Sequence, residues 1–145
     1  MSVIAIVQAR LSSSRLPNKV MYKIDGTPMI TLLLQRLAQS SRVDKIVVAI
    51  PDNVYNEPLA QYLQSIDIPI SLGSESDVLD RFYCAVNKTN AQTCVRITGD
   101  CPLVDPKIVD AVIDKYESEQ ADYASNVEPP TFPDGLDVEV FSRKA

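Results

Sequence analysis

The sequence predicts an α/β domain built on a mainly parallel sheet. Three observations carry that prediction. Short runs rich in β-branched residues recur at Val3–Ala9, Lys45–Ile50 and Thr93–Thr98, and the apolar runs among them, at Val3–Ala9 and Lys45–Ile50, belong to buried strands. Segments with apolar residues at helical spacing fill the intervals. The connections are short, as in right-handed crossovers. With 145 residues, 46% of them hydrophobic, the chain reads as one domain, residues 1–145, able to bury a sizeable core.

The elements follow in order. Val3–Ala9 is the first strand, and residues 10–19, RLSSSRLPNK, form a loop dense in Ser, Arg and Pro. Asp25-Gly26 signals a turn. Thr27 is placed to cap a helix with Pro28 at its first position, and Ile30, Leu33, Leu34 and Leu37 then repeat at helical spacing. Lys45–Ile50 is a second buried strand, ended by residues 51–53. Asn56, Glu57 and Pro58 open a helix through Ser65. Pro69–Leu72 is a short strand. Ser76 is placed to cap a helix over 77–88 with Val78, Leu79, Phe82 and Val86 inward. Thr93–Thr98 is the next strand, broken by Gly99-Asp100-Cys101-Pro102. Asp105 caps a helix from Pro106 through Glu117 with Ile108, Val109, Val112 and Ile113 inward. Asp122–Val127 and Leu136–Phe141 read as strands around a Pro-rich turn. Ser142 reads as the start of a further helix, which suggests a chain truncated at its C-terminus.

Composition excludes several classes of function. There is no histidine, so His-dependent nucleophilic triads, His metal sites and His pH switches are out. Cys84, Cys94 and Cys101 are odd in number and form no C-x-x-C, which argues against a disulfide framework or zinc site. Free thiols fit a reducing cytoplasm. No basic residue precedes the apolar start, so it reads as a strand rather than a signal peptide. No stretch approaches the roughly 20 apolar residues of a membrane span. A net charge of −5 makes a general nucleic-acid binder a poor expectation.

The charge is unevenly placed. Residues 1–24 hold Arg10, Arg15, Lys19 and Lys23 and no acid, while all 19 acidic residues lie beyond. A basic island on an acidic protein suits a compact anion such as phosphate, or is simply a solvated loop. Ligands of parallel sheets sit outside the carboxyl ends of strands. Loop 10–19 and residues 99–102 both lie at such ends. Folded back, the first could turn Arg10, Arg15 and Lys19 toward one anion, with Ser hydroxyls and backbone N–H groups as further donors. It is not a P-loop, since no G-x-x-x-x-G-K-[ST] occurs. Asp100, at a strand end, suits Mg²⁺ beside substrate phosphates, or an Asx-turn. Asp77 and Arg81 suit an i,i+4 ion pair or a ligand role. Asp137 and Glu139 share one strand face. Cys101 has no basic neighbour in sequence to activate it.

Four ordered motifs carry a resemblance across essentially the whole chain: Val7–Lys19, Gly73–Arg81, Val95–Pro106 and Phe132–Glu139. The sequence resembles sugar nucleotidyltransferases of the cytidylyltransferase branch. It is most similar to the spore-coat polysaccharide protein F family, and is related to the CMP-ketodeoxyoctonate and acylneuraminate cytidylyltransferases. The resemblance implies a Rossmann-like, three-layer nucleotide-diphospho-sugar transferase fold. It implies CTP as nucleotide, a sugar acceptor, Mg²⁺ as cofactor and a role in surface-polysaccharide synthesis. Ala9, Arg10, Ser12, Ser13 and Ser14 would line the base and phosphates, and Arg15 and Lys19 would hold the triphosphate. Ser74, Asp77, Arg81, Thr98 and Gly99 would lie near the nucleotide or sugar. Asp100 would bind the metal, with Asp137 as second carboxylate and Glu139 as its alternate. Arg15, Lys19 and Asp100 are thus the expected catalytic set. The chain departs from the family at Ser12 and Asn18, where glycine is usual. Family members continue beyond residue 145, with parts that complete the acceptor site and allow a homodimer. A non-catalytic nucleotide-binding remnant is therefore the alternative expectation.

Overall fold

The computed structural model describes residues 2–145. In chain order it contains β1 (Val3–Gln8), β2 (Lys23–Ile24), β3 (Thr27–Pro28), α1 (Met29–Leu37), β4 (Lys45–Pro51), α2 (Glu57–Ser65), β5 (Ile70–Gly73), α3 (Val78–Thr89), β6 (Thr93–Thr98), α4 (Pro106–Ser118), β7 (Tyr123–Ser125) and β8 (Glu139–Ser142). Six of the strands form one sheet in the order β5-β4-β1-β6-β8-β7. The pairs from β5 through β6 are parallel, whereas β8 and β7 add antiparallel ladders at one side.

Every residue of β1 is buried, because it lies at the sheet's centre with helices on both faces. Val3, Ala5 and Val7 join Ile30, Leu33, Leu37, Leu59, Leu63, Val109 and Ile113 in the larger core, from α1, α2 and α4. Ile4 and Ile6 face the other way, onto Phe82, Ala85 and Val86 of α3. The period-two alternation of one strand thus serves two cores, and the result is the expected three-layer α/β/α arrangement.

Several local expectations are corrected. Thr27 does not cap a helix. Asp25 and Gly26 both take positive φ, 50° and 82°, which closes a two-residue hairpin of the kind Asp-Gly favours. Thr27 and Pro28 are therefore drawn into β3, opposite β2. Asp77 rather than Ser76 caps α3, its side chain accepting from Asp80 N at 2.9 Å. The helix consequently starts at Val78, and this phase turns Leu79 out, 79% exposed, with Val78 also exposed. The last two strands are shorter or shifted relative to 122–127 and 136–141, and Ser142 closes β8 instead of opening a helix. Asp105 caps α4 as expected, accepting from Lys107 N at 2.8 Å.

Candidate functional site

From β1 the chain passes through α1 to β4 on one side, and α3 later carries it back to β6 on the other. Connections that diverge from one strand leave a crevice at the carboxyl ends of that strand and its neighbour, the usual ligand position in such sheets. Gln8 and Thr98 end those two strands and stand in register. Gly99 N donates to Gln8 O at 2.7 Å. A Cβ on Gly99 would fall 2.7 Å from that oxygen and 2.9 Å from Ala9 Cβ, so this close approach needs glycine.

Loop 10–19 is pinned over the crevice by its one buried apolar side chain. Leu11 is buried, its N–H donates to the buried Asn56 Oδ1 at 2.7 Å, and its carbonyl accepts from Ser13 N and Asn18 N. Asn18 sits at φ 63°, a left-handed conformation that asparagine tolerates. Ser12 turns its hydroxyl away to Glu75 Oε1, and Glu75 Oε2 accepts from Asn53 Nδ2 at 2.6 Å. One carboxylate therefore ties three connections together. With Leu11 anchored, Arg10, Ser13, Ser14, Arg15 and Lys19 all line a cleft of about 470 Å³.

The opposite walls bring Arg81 from α3 and Thr98, Gly99 and Asp100 from the end of β6 into the same cleft. Lys19 Nζ donates to Asp100 Oδ2 at 3.1 Å. Burial pulls the Asp100 carboxyl upward, but the hydrogen bond and charge of Lys19, with help from Thr98, outweigh it and hold the group below its ordinary value. Arg81 is only 4% exposed. Its Nη1 donates to Ser74 O at 3.0 Å, while its buried Nε has no partner. Burial lowers the Arg81 guanidinium, and the like charge of Arg10 lowers it further against the opposing pull of Glu75. Two cations facing each other across a cleft make a site that an anion would relieve. Gly73 lets α3 approach, since a Cβ there would meet Arg81 Cα at 2.7 Å.

The cytidylyltransferase family model matches residues 4–139. This chain belongs to the cytidylyltransferase family. It is 30% identical over 132 residues to the spore coat polysaccharide biosynthesis protein SpsF of Bacillus subtilis, covering 88% of this chain and 55% of that protein. It is 37% identical over 125 residues to an uncharacterized protein of Methanocaldococcus jannaschii, covering 86% and 51%. Among solved structures, a cytidylyltransferase from Leptospira borgpetersenii superposes with a TM-score of 0.92 at 30% identity, covering 98% of this chain and 60% of that one. The CMP:2-keto-3-deoxy-manno-octonic acid synthetase complexed with CTP superposes with a TM-score of 0.79 at 19% identity, a likeness of fold. The chain spans about half the length of the curated relatives it matches.

On this cytidylyltransferase scaffold, ten of the expected site residues meet in the cleft: Ala9, Arg10, Ser13, Ser14, Arg15, Lys19, Arg81, Thr98, Gly99 and Asp100. Ser12 is committed to Glu75, and Ser74 lends its carbonyl to Arg81 and its hydroxyl to Asp77 N. Asp77 makes no ion pair with Arg81, because its carboxylate caps α3. It lines a separate concavity between α3 and residues 141–145. Asp137 lies outside the lining of the cleft, just before β8. Burial pushes the Cys101 thiol up, and the charges of Asp100 and Asp137 add to that, so it stays a poor nucleophile. Gln8, Glu75, Ser76 and Arg96 also line the cleft and were not anticipated. A charged residue in the middle of the otherwise uncharged strand 93–98 was the available signal for Arg96.

Proposed function

We propose that this cytidylyltransferase-family chain binds CTP and transfers its cytidylyl group to a sugar hydroxyl in surface-polysaccharide synthesis, releasing pyrophosphate. The observation that carries this reading is the convergence of Arg10, Arg15, Lys19 and Arg81 on one cleft, with Asp100 at the end of β6 beside them. The relatives support it: SpsF is named for spore coat polysaccharide biosynthesis, several others are 3-deoxy-manno-octulosonate cytidylyltransferases, and one structural neighbour is complexed with CTP.

Arg15 and Lys19 would hold the triphosphate, the serine hydroxyls of the loop would donate to its oxygens, and Arg81 would offer further positive charge near the nucleotide. The acceptor hydroxyl would attack the α-phosphorus opposite the leaving pyrophosphate. Such chemistry asks the protein mainly for positioning and charge stabilisation, which a histidine-free site can supply. Among the described residues no group of three His, Cys, Asp or Glu side chains could hold a metal. The half-exposed Asp100 carboxylate fits Mg²⁺ that arrives with its nucleotide, since this ion is usually held by one or two carboxylates plus substrate phosphates. Asp100 would be that ligand; Asp137, the expected second carboxylate, lies outside the lining of the cleft, and the nucleotide phosphates would supply the remaining oxygens. When bound, the ion would neutralise charge developing on the phosphates.

The test is a thermal-shift screen of nucleoside triphosphates with and without Mg²⁺, run beside pyrophosphate release from CTP with a panel of sugars. Binding to the native state raises apparent stability. CTP-selective stabilisation with turnover is expected; equal response to CTP, ATP and GTP would remove the cytidylyl assignment. Binding without pyrophosphate release would instead establish a nucleotide-binding unit without turnover.

A further inference from the structure

Loop 10–19 has one buried apolar anchor, Leu11, while residues 14–18 are exposed. One anchor alone would leave the neighbouring residues free to turn about it. A closed circuit of hydrogen bonds removes that freedom. Leu11 N donates to Asn56 Oδ1 at 2.7 Å, Asn56 Nδ2 to Asn53 Oδ1 at 2.8 Å, and Asn53 Nδ2 to Glu75 Oε2 at 2.6 Å. The other carboxylate oxygen, Glu75 Oε1, accepts from the Ser12 hydroxyl at 2.5 Å. The circuit thus leaves the loop at residue 11 and returns to it at residue 12, passing through the connection after β4 and the turn before α3.

Both arms end on Glu75, and a carboxylate suits that place because it accepts on both sides and donates on neither. Its own backbone is held as well. Arg81 Nη1 donates to Ser74 O at 3.0 Å and to Glu75 O at 3.4 Å.

For binding alone, Glu75 is poorly placed. It lines the same cleft as Arg10, Arg15, Lys19 and Arg81, where a negative charge repels an incoming phosphate. Ser12, Asn53 and Asn56 lie outside that lining, so the rest of the circuit acts on a ligand only through the loop. A loop already fixed loses less conformational freedom when its ligand arrives. Arg10 directly precedes the gripped pair, and Ser13, Ser14 and Arg15 directly follow it.

We propose that Glu75, acting through Ser12 and Asn53, is a positioning residue that sets loop 10–19 to receive a triphosphate, and that its carboxylate is retained in an anion-binding cleft for this purpose. This rests on the nucleotide-binding reading above. The experiment measures binding of CTP and of inorganic tripolyphosphate by calorimetry with Mg²⁺, beside melting temperatures. Ser12→Ala and Asn53→Ala should each weaken both ligands about tenfold, since small misplacements of binding groups are expensive. The double variant should lose little more, because one break opens the circuit and coupled sites are not additive. Ser12→Thr, which keeps the hydroxyl, should recover most of the loss. Glu75→Ala should weaken both ligands although it removes a repulsive charge. Glu75→Gln can still accept from Asn53 and donate to Ser12, and should bind about tenfold more tightly than Glu75→Ala. If Asn53→Ala fails to fold, the Ser12 and Glu75 variants decide. Tighter binding by both Glu75 variants alike would make Glu75 a mere repulsive charge. Lowered melting temperatures with unchanged affinities would make the circuit a brace of the fold, and fully additive losses would make its bonds independent; each of these results overturns the proposal. Wild type that binds neither ligand would overturn it together with the nucleotide reading. Wild type that binds tripolyphosphate but not CTP would overturn the nucleotide reading alone, and the same variants would still decide the role of Glu75.

Discussion

The two edges of the sheet treat charge in opposite ways. At the amino edge, carboxylates are saturated. Asp110 of α4 accepts from the Ser40 hydroxyl, from Ser41 N at 3.0 Å, from the Ser41 hydroxyl at 2.8 Å and from Arg42 N at 3.3 Å. Asp44 accepts from Val3 N at 2.8 Å, and Arg42 pairs with both Asp114 and Glu117. At the carboxyl edge the balance is left open. Asp100 has one strong partner, Lys19, and Arg81 Nε and Gln8 Nε2 are buried without any. Groups with all valences used hold a fold together. Groups with valences to spare await a ligand, since buried polar groups ordinarily find partners.

The largest expected effect sharpens this contrast directly. Asp100→Asn should cut pyrophosphate release by about 100-fold or more, the scale of removing one preorganised electrostatic contact, while the melting temperature stays nearly unchanged. Equal rates in the two proteins would show that Asp100 is merely the partner of Lys19. Next, Arg15→Ala should weaken triphosphate binding by about 1.5–3 kcal/mol, the range for hydrogen bonds to charged groups. Its stability should change by no more than about 0.5 kcal/mol, as at ordinary surface sites. A large fall in melting temperature with unaltered nucleotide affinity would move Arg15 to the structural class.

The amino edge should answer the other way. Asp110→Ala removes a carboxylate that organises the connection before β4, and should cost about 1.5–2.5 kcal/mol, or roughly 3–8 °C of Tm, with CTP affinity intact. The smallest effect is in the pH dependence. Burial alone would raise the Asp110 carboxyl, but the Ser40, Ser41 and Arg42 donors prevail and hold it below its ordinary value. A depressed carboxyl contributes stability above its unfolded value and loses it as pH falls through the folded one. Acid unfolding of wild type should therefore include a component below about pH 4 that Asp110→Asn flattens. Asp100→Asn should flatten it less, because the half-exposed pair with Lys19 is screened by solvent. Identical acid limbs in all three proteins would contradict the assignment.

Much of the scaffold was legible because the central strands are short, apolar and buried on both faces, which leaves an unmistakable run such as VIAIVQ. The helix starts were harder. Ser76 and Asp77 are both good caps, and which one acts depends on Ser74, whose hydroxyl accepts from Asp77 N at 3.0 Å; no local propensity decides that. Loop 10–19 could be read as basic and anion-directed, but its shape comes from Leu11 and from Asn56, 45 positions away. Glu75, Gln8 and Arg96 escaped notice for the same reason. Their partners come from separate strands and loops, and only the assembled sheet sets Arg96 opposite Glu139.

The central position of β1 has a kinetic consequence. Its two neighbours are β4 and β6, and the second ends only at Thr98. At ordinary rates of synthesis roughly 5–20 s separate the emergence of the first strand from that of the segment that seals its other side. During that interval an uncharged, proline-free six-residue strand, VIAIVQ, has at best one edge covered. Segments of that character are the ones that pair with copies of themselves, and non-local parallel pairing is slow. The feature that makes the finished sheet secure thus makes its nascent form the most vulnerable to aggregation, and chaperone capture should be densest on chains shorter than about 100 residues.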